Sequence, residues 1–184
     1  MDFCRHRRSF LKKSLFASAL LLCGQPAWGR TTDGTNSGSP LRLYNTHTGE
    51  KVAVSLRDAL EHNDQGAMET LNWIFRCHYT NQVHPIDPRT LDYLSLLHQT
   101  VGGNREIHII SGYRSPEYNE VLRRENGGVA RHSLHLDGRA LDIRVPGVNL
   151  ADLRQAALGL QYGGVGYYPG SNFLHLDSGR FRQW

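Results

Sequence analysis

Pro169-Gly170 separates two short apolar and aromatic runs, residues 164–168 and 172–177, and a link this short joins strands only as an antiparallel hairpin. A parallel pair would need a crossover of a dozen or more residues. Upstream, residues 140–145 read as a strand and 150–160 as a helix with Leu153, Ala156 and Ala157 inward. Residues 107–110 make a further strand. Asp87-Pro88 is a cap followed by Pro at the first helical position, opening a helix through Leu91, Leu94, Leu97 and His98. Residues 66–76 carry Met68, Leu71, Ile74 and Phe75 at helical spacing, with Trp73 read as packing. Ser115-Pro116 starts another helix, with Glu117 in its first turn, and Asn126-Gly127-Gly128 ends it. Residues 41–44 and 51–55 flank a Gly49 turn as a hairpin. Helices come first and short, close-spaced strands last, so the sequence predicts an α+β fold with a small, mainly antiparallel sheet.

The first 29 residues read as an address rather than fold. Arg5, Arg7, Arg8, Lys12 and Lys13 form a basic stretch, an apolar run follows to Leu22, and Ala27-Trp28-Gly29 offers small residues for cleavage. The run is shorter than the roughly 20 residues of a spanning helix. Arg7-Arg8-Ser9-Phe10-Leu11-Lys12 fits the twin-arginine export pattern in preference to an ordinary Sec signal. Cys23 is not read as a lipid anchor, because Leu22 stands where a lipobox needs a small residue. Residues 30–40 are rich in Gly, Ser and Thr and read as a tether. Residues 41–184 are then one domain's worth of chain, with no transmembrane anchor after cleavage.

The leader also explains the charge. It holds five of the 21 Lys+Arg and one of the 17 Asp+Glu, which leaves 16 of each beyond it. A neutral mature chain gives no reason to invoke nucleic acid. Cys77 alone survives cleavage, so no internal disulfide forms, and it reads as a buried small residue.

Chemistry concentrates late in the chain. His135 precedes a turn at Asp137-Gly138, and Asp142 lies on the strand after it, so the two can meet one ion. His175 sits on the last strand of the hairpin. Two imidazoles and a carboxylate leave a tetrahedral position open for water, which suits a catalytic zinc rather than a structural one. His47, His62, His78, His84, His98 and His108 read as surface or core residues.

Ser133-Leu-His135-Leu-Asp-Gly138-Arg-Ala140-Leu-Asp142 resembles the Ser-x-His-x-x-Gly-x-Ala-x-Asp motif of the M15-type zinc peptidases. These are D-Ala-D-Ala carboxypeptidases and murein endopeptidases, related in fold to lysostaphin and the hedgehog N-terminal domain. Ser111-Gly-Tyr-Arg-Ser115, Gly163-Gly-Val-Gly-Tyr-Tyr168 and Phe173-Leu-His-Leu-Asp-Ser-Gly179 resemble the murein-endopeptidase branch. The resemblance covers residues 41–184. It implies helices packed on one side of the sheet, one zinc held by His135, Asp142 and His175, and peptidoglycan stem peptides as substrate. It implies action in the periplasm, with Arg114 as the cation that stabilises the oxyanion. Tyr113 is left between pocket wall and core.

The proton acceptor departs from the pattern. Many relatives place Glu three residues before the last ligand, or His two before it; here those positions are Asn172 and Phe173. Asp177 shares a strand face with His175, so it is expected either as general base or as the partner that orients a ligand, with His132 as a third candidate. A facial-triad iron site is set aside, since His175-Leu-Asp177 has no histidine after it. A zinc carboxypeptidase and a non-catalytic wall-binding module remain as alternatives to the endopeptidase.

Overall fold

A computed structural model describes residues 40–56, 64–126 and 128–184. The leader, most of the tether and His62 lie outside the described residues. The chain runs β1 (Leu41–Asn45), β2 (Lys51–Val54), α1 (Gln65–Ile74), α2 (Pro88–Thr100), β3 (Glu106–Ser111) and α3 (Pro116–Asn126). A 3₁₀ turn (Leu134–Asp137), β4 (Ala140–Arg144), α4 (Leu150–Leu160), β5 (Gly164–Tyr168), a second 3₁₀ turn (Pro169–Ser171), β6 (Phe173–Asp177) and β7 (Arg182–Gln183) follow. The strands form one sheet in the order β2-β1-β3-β4-β6-β5-β7. Four pairings are antiparallel; β1 with β3 and β5 with β7 are parallel. The expected α+β class with a mainly antiparallel sheet is the fold observed. The parallel pairs were not anticipated: α1 and α2 together supply the crossover that β1–β3 needs.

Local chemistry sets the helix starts. Asp64 accepts from the Gly66 and Ala67 amides, Asp87 from Arg89 ahead of Pro88 at the first turn, and Asn149 from Ala151. Each cap satisfies amides that the helix itself leaves open, worth about 1 kcal/mol. Beyond α1, Phe75 closes the helix, and its carbonyl accepts from the Tyr113 amide at 2.7 Å.

The two faces of the central strands divide the labour. Leu141 pairs with Leu176 and Ile143 with Leu174, all fully buried, and they join Val165, Ile107 and Ile109 in the core. α2 and α4 pack against β6 here, and α4 also against β5. Each such Leu or Ile buried contributes about 1.5–3 kcal/mol. Asp142 and His175 pair on the opposite face, as do Ala140 and Asp177. Side chains alternate along a strand, so one face is core and the other carries the polar cluster. A shift of register in β3 between Ile109 and Ser111 acts as a bulge: Ile109 faces Ile143, while Ser111 comes beside Asp142.

Candidate metal centre

Three elements deliver three donors. Ser133 caps the 3₁₀ turn through the His135 amide, and Gly138 ends it at φ 64°, a left-handed conformation that glycine adopts without strain. A Cβ at Gly138 would also stand 2.3 Å from the Pro85 carbonyl oxygen. That sharp stop sends the chain straight into β4, where Asp142 faces His175 on β6. The Arg114 amide donates to the His135 carbonyl at 3.0 Å and pins the turn to the loop after β3.

Hydrogen-bond partners assign the His135 tautomer. His135 Nδ1 lies 2.7 Å from the Gly112 carbonyl oxygen, which only accepts, so Nδ1 carries the hydrogen and Nε2 keeps a lone pair. His175 Nε2 lies 3.1 Å from Asp177 Oδ2 and its Nδ1 2.9 Å from Asp142 Oδ1, so either nitrogen or both can donate to a carboxylate. His135 Nε2 and His175 Nδ1 face each other at 3.2 Å. Asp142 Oδ1 stands 3.3 Å from the first and 2.9 Å from the second. With a metal bound, all three would turn a lone pair to it, and His175 would keep its hydrogen on Nε2 toward Asp177. Donors bound at about 2.0–2.1 Å to one tetrahedral ion would stand about 3.3 Å apart, close to this spacing. Among the described residues, His135, Asp142 and His175 are the group that could hold a metal. The chemistry of the donor set fits the ion expected from the sequence.

Burial and charge set the protonation. Burial drives His135 down to about 4, against the pull of Asp142, so it is neutral at physiological pH. Burial would raise Asp142, but His135, His175 and Arg114 outweigh it and hold the carboxyl well below its usual range. Burial opposes charge on His175 as well, yet the bonds to Asp142 and Asp177 leave it raised. His135 and Asp142 have side chains 1% and 3% exposed, and His175 11%, so His175 is the donor most open to solvent.

Arg114 sits where the resemblance put it, beside the donors. Its Nε donates to Ser111 Oγ at 2.9 Å, and a terminal nitrogen pairs with Asp142 Oδ2, the oxygen turned away from the histidines. The bulge in β3 is what brings Ser111 within reach. Asp177 meets the His175 ring at Nε2, the nitrogen opposite the one that faces Asp142. It is fully buried behind the His175 ring, and its oxygens accept from Arg182 (2.9 and 2.7 Å), the Gly179 amide (2.8 Å) and His175 itself. Burial would raise its carboxyl, but His175 and Arg182 outweigh that and hold it far below the usual range. Its bond to His175 Nε2 is the contact through which it would orient that ring as a ligand, the second of the two roles expected for it. Gly164 makes room for it: a Cβ there would stand 2.3 Å from Asp177 Oδ2.

The donors open onto a cleft of about 420 Å³. The loop before the 3₁₀ turn lines it with Val129, Ala130, His132 and Ser133, the β5–β6 hairpin with Tyr168 and Phe173, and the last residues with Arg182 and Trp184. Tyr113 does not line it; it is buried, its ring stacked on His84. Cys77 is buried as expected. Sequence reasoning missed Ser111, Arg182 and Trp184. The contact of Ser111 needs a bulge that its motif does not announce, and Arg182 and Trp184 lie on and just after a two-residue strand too short to carry a periodic signal.

The comparisons agree with this geometry. The family model described as peptidoglycan L,D-endopeptidase MepK matches residues 34–184. Peptidoglycan L,D-endopeptidase MepK of Escherichia coli (strain K12) is 37% identical over 182 residues, covering 99% of this chain and 98% of that protein. The Shigella flexneri protein of the same description matches to the same extent. A probable peptidoglycan L,D-endopeptidase MepK of Haemophilus influenzae is 39% identical over 145 residues, 78% of this chain and 77% of its own. With a family model spanning the whole described domain and its motif residues gathered at one buried centre, this chain belongs to the MepK family of M15-type peptidases.

Proposed function

We propose that the chain is a zinc-dependent murein endopeptidase that hydrolyses peptide cross-links of peptidoglycan, with the L,D bond between diaminopimelate residues as its preferred target. The observation that carries the metal is the convergence of His135 Nε2, His175 Nδ1 and Asp142 Oδ1, 2.9–3.3 Å from one another, beside the cleft. The bond preference rests on what the relatives are named for. The twin-arginine leader pattern and the wall substrate together point to the periplasm as the place of action.

When bound at this centre, zinc supplies a Lewis acid that activates water and polarises the scissile carbonyl. The chain's own residues do the rest. Arg114 is fixed by Ser111 and Asp142 at the edge of the cleft, so its charge is in place before negative charge develops on the carbonyl oxygen. Asp177, clamped by Arg182, holds the His175 ring with Nδ1 turned toward His135 and Asp142, where a metal would be held. His132 lines the cleft and offers an imidazole that can accept the proton of the attacking water.

Defined muropeptide dimers test this directly. Mass analysis should show cleavage of the dimer linked through two diaminopimelate residues, loss of activity with a chelator, and recovery on adding zinc. Release of terminal D-Ala alone would favour a carboxypeptidase. Tight binding without any product would favour a wall-binding module.

A further inference from the structure

Four residues form a row across the site face of the sheet: Ser111 on β3, Asp142 on β4, His175 on β6 and Gly166 on β5. Neighbouring strands stand about 4.8 Å apart, so Gly166 lies one strand beyond a metal-donor histidine. Gly166 has no side chain of its own. A Cβ built there would meet three atoms of the Trp184 indole at 2.8–2.9 Å. The indole thus occupies the space a side chain at 166 would fill.

That ring is held from several directions. Its Nε1 donates to the Tyr168 hydroxyl at 2.8 Å, and the Arg182 guanidinium lies 4.9 Å from the ring centre. The Trp184 backbone donates to Val165 and accepts from Tyr167. Its ring centre is 5.3 Å from that of His175, tilted by 52°. Even so, Trp184 stays 47% exposed and lines the cleft. A large apolar ring already immobilised beside a reactive centre loses little further freedom when something packs on it. Tyr168 and Phe173, stacked at 4.6 Å, extend the same aromatic side of the cleft.

We propose that Trp184, seated on Gly166, is a specificity-determining wall that packs against the aliphatic part of the stem-peptide residue flanking the scissile bond. This rests on the reading of the site as a murein peptidase. The ring offers a flat apolar surface to a methyl or methylene chain, and the charged groups of the stem stay in water or meet Arg114.

The test uses the zinc-loaded enzyme and a defined diaminopimelate-linked muropeptide dimer, with kcat, KM, zinc content and a calorimetric dissociation constant measured for each protein. Trp184→Ala should raise KM and the dissociation constant about 10-fold, with kcat and zinc content near wild type. Trp184→Phe keeps a ring over Gly166 and should recover part of that loss. Gly166→Ala leaves every cleft side chain present but pushes the indole away, and should raise KM much as Trp184→Ala does. Unchanged KM and binding in Trp184→Ala and Gly166→Ala would overturn the proposal, as would a loss confined to zinc content, which would make the ring a mere support for His175. A wild type that binds the dimer without cutting it would sink the assigned reaction alone, and the dissociation constants would still decide the role of Trp184.

Discussion

His175 lies between two carboxylates: Asp142 Oδ1 stands 2.9 Å from its Nδ1, and Asp177 Oδ2 stands 3.1 Å from its Nε2. One ring therefore faces the donor cluster with one nitrogen and a clamped anion with the other. The anion is in turn gripped by both terminal nitrogens of Arg182. Such a chain fixes the ring orientation before any ion arrives. Asp177→Asn keeps the shape but weakens both the Arg182 clamp and the acceptor for Nε2. It should loosen zinc by about 10–100-fold, and excess zinc should restore much of the rate. Zinc titration and turnover measured on the same variant check this. A fall of about 10²–10⁴ in rate with zinc still tightly held would instead make Asp177 the proton acceptor.

Stoichiometry tests the donor set itself. Wild-type protein should carry one zinc per chain, and His135→Ala or His175→Ala should carry none and show no activity. His135 is 1% exposed at its side chain, so its loss leaves a small cavity without touching the hydrophobic face of the sheet. Circular dichroism should show the domain still folded. Full zinc content in either variant would remove that residue from the centre.

His132 lies three residues before a donor and lines the same cleft, but it makes none of the hydrogen bonds that hold the donors. If it accepts the proton of the attacking water, His132→Ala should lower kcat by about 10²–10⁴ and leave zinc affinity unchanged. A near-normal kcat would exclude it from proton transfer.

Stability should carry its own pH signature at Glu50. Arg76, Thr48 and Trp73 all donate to its carboxylate, at 2.7, 2.7 and 3.0 Å, and tie the β1–β2 hairpin to the end of α1. The Arg76 bond above all draws its pKa down from 4.5 to about 2. A carboxyl depressed in the folded state stabilises it above the unfolded value, and that stabilisation fades as pH falls through the folded value. Glu50→Gln should therefore cost stability at pH 7. The gap to wild type should shrink between about pH 4.5 and about pH 2. Urea midpoints across that range check it; a gap independent of pH would remove the charge from the explanation.

The sequence made some features plain and hid others, for physical reasons. Helix α2 was legible because Asp87-Pro88 and the Leu91, Leu94, Leu97 spacing are local signals, and the observed helix begins at Pro88 with those residues buried. The β5–β6 hairpin was legible because Pro169-Gly170 leaves no other connection. His135, Asp142 and His175 stood out by motif, and the fold brings them together. The place of Asp177 was not legible. Residues two apart on a strand share a face, but the Arg182 clamp and the space left by Gly164 are what let its carboxylate turn behind the ring. Those are contacts between strands whose register no single segment encodes.

Arg114 joins two functions that the sequence alone would keep apart. As a cation at the cleft edge it should stabilise the developing oxyanion, and loss of one such donor costs about 10²–10³ in kcat. Its bond to Asp142 adds a second effect. Asp142 is 3% exposed, and Arg114 is the partner of the oxygen that faces away from the histidines. Without it, that buried carboxylate keeps its charge with one donor fewer and is freer to rotate its ligand oxygen out of line. Arg114→Ala should therefore lower kcat even at saturating zinc, and should also weaken zinc binding. Arg114→Lys returns a charge but not the fork that reaches Ser111 and Asp142 together, so it should recover part of the rate and little of the geometry. Turnover at saturating zinc isolates the first effect, and a chelator competition measures the second. Normal kcat at saturating zinc would leave Arg114 as a positioning residue alone, and unchanged zinc affinity would show that Ser111 and the strand pairing suffice to hold Asp142.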